Sequence, residues 1–365
     1  MFIGTGGSLI NSNEPKKILS AIEDLDDKYL INRNIKYFLD RKYILSSAGL
    51  ISTVDEEASY KLLNKYLKEK FGERTLKICI DGSFTCPNRD GSKGIGGCIF
   101  CSEKGSGEHI NASPNISEQV KNYFNSYKAQ RANKFIAYFQ NFTNTYDSIE
   151  NLKKKYDSAL IDDRIVGLEV ATRPDCINDA VAKLLKSYSE KYYVCVELGF
   201  QTANEQTGNF INRCYSNNDF TNAVKILNSY DIDVVTHIMI GLPTIGTEIR
   251  DEDITQDVIN TVNFLNQHKI QGLKIHSCYI VKNTKLEDLY KEGKYTPLSL
   301  EQYLEECAYV ITHINPDIII HRVSGDAPKD LLVAPSWNLH KKWILNGLER
   351  LLREKKLFQG MFFWF

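Results

Sequence analysis

The chain has no excess charge of either sign, no long apolar run and no internal repeat. Its 45 lysines and arginines meet 46 aspartates and glutamates, for a net charge of −1. No overall field therefore draws it to nucleic acid or to an anionic membrane, although a local basic patch stays open to it. No window approaches ~18 consecutive apolar residues, which excludes a membrane-spanning helix. The opening MFIGTGGSLINSNEPKK carries too short an apolar run for a secretory leader. Cysteine, by contrast, is plentiful, and the count of nine is odd. An odd number without a leader argues against a disulfide scaffold and for a reducing compartment. These absences predict a cytoplasmic protein with no membrane contact. With 42% hydrophobic and 25% charged residues, the 365-residue chain is ample for one large buried core or two small ones.

Residues 1–57 are rich in Asn, Lys and Asp, with patchy helical periodicity in KKILSAIEDL and NIKYFLDRKYIL. They read as a helical N-terminal extension. From Tyr60 the pattern becomes regular. KLLNKYLKEKFGE predicts a helix ending near Gly72, and TLKICID predicts a strand. Six more apolar runs read as strands: 134–140, 165–172, 192–200, 233–242, 272–281 and 317–323. Between them lie amphipathic segments such as DAVAKLLKSYSEK and FTNAVKILNSY. Val- and Ile-rich strands alternating with helices imply βαβ units and a parallel sheet. Seven such strands fit a partial or full (β/α) TIM-like barrel over 58–325, with a C-terminal helical tail, 326–365, packed on it. Polar residues gather where the strands end: Gln140, Thr172, Arg173, Glu197, Gln201, His237, His276, Lys282, His321 and Arg322. In a parallel barrel those ends share one face, and chemistry happens there.

The loop after the first barrel strand, TCPNRDGSKGIGGCIFC, holds Cys86, Cys98 and Cys101 among Gly91, Gly94, Gly96 and Gly97. The glycines let the backbone wrap closely and turn its amides toward sulfur. Three readings are open. With His109 as a fourth ligand the loop would be a Cys3His zinc knuckle, and the chain a non-catalytic binding protein. A redox dithiol of Cys98 and Cys101 would leave Cys86 and the glycines unused. A [4Fe–4S] cluster on three thiolates would keep one iron open for a ligand. The loop's place on a polar barrel mouth favours the cluster, since a zinc knuckle needs no such mouth.

The segment KICIDGSFTCPNRDGSKGIGGCIFC resembles the cluster loop of radical S-adenosylmethionine (SAM) enzymes, most closely the elongator-catalytic-subunit-like branch of YhcC/YtqA type. The likeness continues through YFQNFTNTY, GLEVATRPDCI, VELGFQTANEQT, HIMIGLPTIG, GLKIHSCYIVKNT, IIIHRVSGDAP and LLVAPSW, over roughly residues 58–345. Residues 1–57 and the tail ending MFFWF have no counterpart in it.

The resemblance implies that Cys86, Cys98 and Cys101 bind three irons and that SAM chelates the fourth. The reduced cluster would then cleave SAM to a 5′-deoxyadenosyl radical. An external one-electron reductant of flavodoxin or ferredoxin type is implied as partner. Likeness to the coproporphyrinogen dehydrogenase group makes Gln201 a candidate for the SAM ribose and Arg213 for its methionine carboxylate. His237 stands where that group has aspartate, and Cys214-Tyr215 where it has Gly-His. Gln140 lies where these enzymes hold the SAM amino group, without their Gly-Gly-Glu form. Thr172, Arg173 and Glu197 are further candidate cofactor contacts, and His276, Lys282, His321 and Arg322 candidate substrate contacts. The branch implies a tRNA substrate, modified on the C5 side chain of a wobble uridine; a small metabolite or cofactor precursor is the alternative. KKWILNGLERLLREKK reads as a solvated basic helix face, with a phosphate-binding patch as the other reading.

Overall fold

The computed structural model describes residues 2–4, 37–39, 59–105, 115–243 and 251–363. The chain divides into two compact units, Met1–Ala58 and Ser59–Phe365. In the first, β1 (Phe2–Gly4) and β2 (Tyr37–Leu39) pair in parallel. The helical character expected of 1–57 otherwise lies outside the described residues.

The second unit starts with α1 (Leu63–Phe71), which Gly72 ends at φ 79°, in the left-handed region that glycine enters without strain. Strands and helices then alternate: β3 (Thr75–Ile80), α2 (Ile116–Phe124), β4 (Lys134–Phe139), α3 (Ile149–Asp157), β5 (Ile165–Thr172), α4 (Asp179–Tyr188), β6 (Tyr193–Gln201), α5 (Glu205–Phe210), α6 (Asn217–Ser229), β7 (Asp233–Ile240), α7 (Asp251–Asn266) and β8 (Gly272–Ser277). After these come β9 (Ile280–Val281), α8 (Lys285–Lys291), α9 (Leu300–His313), β10 (Ile319–Arg322), β11 (Leu332–Ala334) and α10 (Lys341–Glu354).

Seven strands form one parallel sheet in the order β10-β8-β7-β6-β5-β4-β3. All seven strands expected from the apolar runs are present, and the sheet is a partial barrel. It curls: Lys274 on β8 donates to Tyr138 on β4 at 2.8 Å, across a concave face three strands wide. The open edge of β10 is covered by the segment before α1, where Ile320 donates to the Lys61 carbonyl at 2.8 Å.

Successive strand side chains point to opposite faces. One set (Ile78, Ile80, Phe139, Leu168, Val196, Phe200, Val234, Leu273) is buried against the helices. Each such side chain contributes about 1.5–3 kcal/mol by leaving water. The helices are started by capping side chains, including the reciprocal Ser216–Asp219 pair at α6 and Asn204 at α5. The other set faces the lumen, and much of it is polar. In the tail, Ile344, Leu348 and Leu352 of α10 are buried, and β11 pairs antiparallel with β9.

Candidate active site

The cysteine loop leaves β3 at the mouth of the half-barrel. The Cys86 carbonyl accepts from the amides of Arg89 (2.8 Å) and Asp90 (3.2 Å), and the Pro87 carbonyl from those of Lys93 and Gly94. Gly97 sits at φ 80° and donates to the Asn88 carbonyl at 2.8 Å. A Cβ there would lie 2.9 Å from Arg89 Nε, so the close wrap needs glycine. The loop is tied to the turn after α5: Asn212 Nδ2 donates to the Gly97 carbonyl at 2.7 Å, and Ile99 N to the Ile211 carbonyl at 3.1 Å.

Two donors are aimed at the sulfurs. Asn88, fully buried, donates to Cys98 Sγ at 3.6 Å and to the Asn212 carbonyl. Arg173 Nη1 lies 4.0 Å from Cys86 Sγ. Burial pushes the Cys98 thiol up to about 12; the neighbouring Cys101 and Cys86 add to this and Arg173 opposes it, so the three thiols are electrostatic neighbours. Among the described residues, no three His, Cys, Asp or Glu side chains meet at the point one metal ion would occupy. A four-iron cube takes one thiolate at each of three separate corners and requires no such point. Three neighbouring thiols with N–H groups directed at sulfur fit that cluster. His109, the fourth ligand of the zinc reading, lies outside the described residues.

Under this loop the rim is structural. Arg173 forks onto Asp175 (Nε–Oδ1 and Nη2–Oδ2, both 2.9 Å) and donates to the Arg213 and Cys214 carbonyls at 3.1 and 3.3 Å. Lys93 reaches the same carboxylate at 2.8 Å. Against the opposing effect of burial, Arg173 and Lys93 hold Asp175 below the usual carboxylate range. Thr172 shares a 2.6 Å hydrogen bond with Thr145. Thr172 and Arg173, candidate cofactor contacts, are both bonded into the rim.

Arg213 is tied into the same rim. It is fully buried, and all five of its N–H groups are spent: on the carbonyls of Tyr215, Phe200 and Thr202, on Glu205 and on Asn217. Each of its donors thus has an acceptor within the chain. Tyr215, in place of the family's histidine, puts its ring 4.9 Å from the Arg173 guanidinium and 4.7 Å from that of Arg213.

Gln201 is different. It ends β6 at φ 73°, a strained value for a side-chain-bearing residue. Its buried Oε1 has no partner among the described residues. A Cβ on Gly199 would press to 3.1 Å of its Nε2, so the amide lies over that glycine. Gln140, at the end of β4, ties the strand ends together through its amide to the Ile80 carbonyl at 3.3 Å.

Deeper in the lumen sits a network that the polar strand ends did not reveal. Glu197 accepts from Tyr138 at 2.8 Å and from Lys274, and Lys77 donates to Glu169 at 2.6 Å. Burial works against ionisation of Glu197, but Lys274, then His237 and Lys77, hold it at about 2. Two lysines thus balance two glutamates. Above them the His237 and His276 rings meet edge-on, 4.1 Å apart. Burial pushes His237 down to about 4 and His276 well below its usual range. Both Nε2 atoms, and Nδ1 of His321, are buried without a partner among the described residues. His321 lies over Gly272, where a Cβ would fall 2.6 Å from its Nε2. Lys282 does not join this cluster: it is exposed and donates to the Asp330 carbonyl at 2.9 Å. Arg322 pairs with Asp326 at 3.1 Å.

A three-thiol loop on a half-barrel with a polar lumen defines a class, and the comparisons agree with it. Residues 86–255 match the Radical SAM superfamily and residues 270–354 the Radical_SAM C-terminal domain; residues 1–67 match the family described as MutL protein. YtqA of Bacillus subtilis (strain 168) is 37% identical over 309 residues, 84% of this chain and 94% of its own. YhcC of Escherichia coli (strain K12) is 32% identical over 298 residues, 80% of this chain and 93% of its own. More distantly, a tRNA uridine(34) acetyltransferase of Methanocaldococcus jannaschii is 27% identical over 187 residues, 51% of this chain and 32% of its own. Among solved structures, the Methanocaldococcus infernus Elp3 with an N-terminal deletion superposes with a TM-score of 0.54 at 18% identity, over 78% of this chain and 64% of that one. The chain belongs to the radical SAM superfamily, in the elongator-like branch that includes YtqA and YhcC. It is an enzyme whose cofactors are a [4Fe–4S] cluster and SAM, and the superfamily requires an electron donor. Among the described residues, no helix is long and apolar enough to cross a membrane.

Proposed function

We propose that this enzyme modifies the C5 side chain of a tRNA wobble uridine, with Cys86, Cys98 and Cys101 holding the cluster. The observation that carries the substrate reading is the likeness over half the chain to a protein named for uridine 34 of tRNA. The lumen supports it. Its two lysines and two glutamates cancel, and its imidazoles are held neutral with nitrogens unpartnered. Such a cavity suits a neutral, hydrogen-bonding heterocycle better than an anionic metabolite.

When bound, the reduced cluster and SAM supply a 5′-deoxyadenosyl radical able to take hydrogen from an unactivated carbon. Asn88 and Arg173 steady the thiols of Cys98 and Cys86. The free Oε1 of Gln201 accepts from a ribose hydroxyl, and His237 borders the same space. His276 and His321 present nitrogens to the substrate's polar edge. The enzyme works in the cytoplasm with a flavodoxin- or ferredoxin-type reductant.

Anaerobic purification tests the site. The expected product is brown, with about four irons per chain, and Cys98→Ala loses both colour and SAM cleavage. A colourless protein with one zinc overturns the ligand reading. The substrate is tested by the nucleoside profile of tRNA from cells lacking the gene; an unchanged profile removes tRNA and leaves the enzyme class intact.

A further inference from the structure

The start of α10 carries a feature that the site above does not use. Trp343 is 56% exposed. A lone exposed aromatic needs no explanation, but this one is preformed. Its indole stacks on the exposed imidazole of His340, with centroids 4.0 Å apart and planes 20° from parallel. Its amide donates to the His340 carbonyl at 2.8 Å, and the next residue, Ile344, is buried in the core, so the ring has a fixed base. Lys341 and Lys342, between the two rings in sequence, are both exposed.

This pair stands beside the barrel mouth. Two residues before His340, Asn338 accepts from the Ser277 hydroxyl at 2.6 Å, at the carboxyl end of β8. Lys341 bonds Asp326 at 3.3 Å, and Asp326 holds Arg322 at the end of β10. Gly325 lies against the His276 ring, where a Cβ would meet Nδ1 at 3.4 Å.

We propose that Trp343, backed by His340 and flanked by Lys341 and Lys342, is a stacking platform for an unpaired nucleobase of the RNA substrate, holding the loop at the mouth while the target base enters the lumen. A flat, rigid π-surface with exposed lysines next to it in the chain is the combination that single-stranded nucleic acid uses, base on ring and phosphate on lysine. The basic helix start thereby acquires a role, while farther along α10 Arg353 and Glu349 pair with each other at 3.4 Å. The proposal rests on the tRNA reading and adds the surface that meets the RNA.

The test is direct binding of the full-length holoenzyme to a tRNA anticodon stem–loop, followed by quenching of tryptophan fluorescence and by a filter assay, with a blunt duplex of the same length as control. Trp343→Ala should weaken stem–loop binding about tenfold and leave the duplex unchanged. Trp343→Phe should recover part of the loss. Lys342→Gln should weaken both RNAs and flatten the salt dependence. Iron content and SAM cleavage without substrate should be normal in all three, since none touches the cysteine loop. Unchanged stem–loop affinity in Trp343→Ala, or equal losses for stem–loop and duplex, overturns the platform. Loss of binding to a flavodoxin-type reductant, with RNA binding intact, reassigns the surface to a protein and overturns it too. If the wild type modifies the RNA and Trp343→Ala binds it equally well, the platform falls alone; if the wild type binds no RNA, the tRNA reading falls with it.

Discussion

The imidazoles of His237 and His276 stand 4.1 Å apart, edge to face at 69°, on neighbouring strands β7 and β8. Neither Nε2 has a partner among the described residues. Burial holds His237 near 4, and burial together with the charges of His237, Arg322, Lys274 and Lys341 holds His276 well below 6.5. In the unfolded chain both take a proton near 6.5. The unfolded state therefore binds protons first, and stability falls as pH drops from about 6.5 toward 4. His237 alone contributes up to about 3 kcal/mol to that fall. Urea unfolding of the apoprotein between pH 4.5 and 7.5 should show it, and His237→Leu should flatten the slope. An equally steep slope in the variant would mean that the ring is hydrated and titrates normally in the native state.

Glu197 and Lys274 form a second test. Glu197→Gln leaves the Lys274 ammonium buried with only neutral acceptors, the new amide oxygen and Tyr138, which should cost about 3–5 kcal/mol. Replacing both, as Glu197→Gln with Lys274→Met, should restore much of the loss, since neither charge is then stranded. In the wild type, Glu197 is near 2 when folded and near 4.5 when unfolded, so its contribution is present above about 4.5 and lost as pH falls toward 2. The double variant should lack that component in acid titrations followed by circular dichroism. A double variant less stable than Glu197→Gln alone would show that the lumen needs the charges for packing.

The strands were legible because their outward face is continuously apolar, and their order in the chain predicted the parallel sheet. The lumen is less legible, because much of its polar lining stands away from the strand ends. Lys77, Tyr138, Glu169 and Lys274 sit in mid-strand, inside runs such as TLKICI and GLKIHS. A lone lysine or glutamate flanked by Leu, Ile or Val, recurring at lumen parity on β3, β5 and β8 as Lys77, Glu169 and Lys274, was the available signal. The surroundings of Arg213 were illegible for another reason. A motif gives a residue type at a position, but not whether its five donors are already taken by carbonyls that only the fold brings close.

Arg213 can be separated from cofactor binding by experiment. Arg213→Met would strand the carbonyls of Phe200, Thr202 and Tyr215, the first two in the buried interior. The expected cost is about 3 kcal/mol or more, read as a lower Tm. Well below that Tm, SAM affinity by equilibrium dialysis should stay within about twofold of wild type, which is less than ~0.5 kcal/mol. A large loss of SAM binding in a folded variant would restore Arg213 to the site.

Asn88 joins the fold to the chemistry most directly, since its Nδ2 serves both Cys98 Sγ and the Asn212 carbonyl. A hydrogen bond to a cluster sulfur draws off electron density and raises the reduction potential. Asn88→Ala should therefore make the cluster harder to reduce. In a redox titration followed by electron paramagnetic resonance, the midpoint should move to more negative potential at unchanged iron content. Because the same change frees the Asn212 carbonyl, Asn212→Ala is the control. It leaves Asn88 in place but removes the Asn212 Nδ2 tie to Gly97, so it loosens the loop without deleting the N–H aimed at sulfur. A shift in Asn88→Ala that is absent in Asn212→Ala assigns the effect to that N–H. Equal shifts would assign it to loop position, and no shift in either would place Asn88 outside the electrostatics of the cluster.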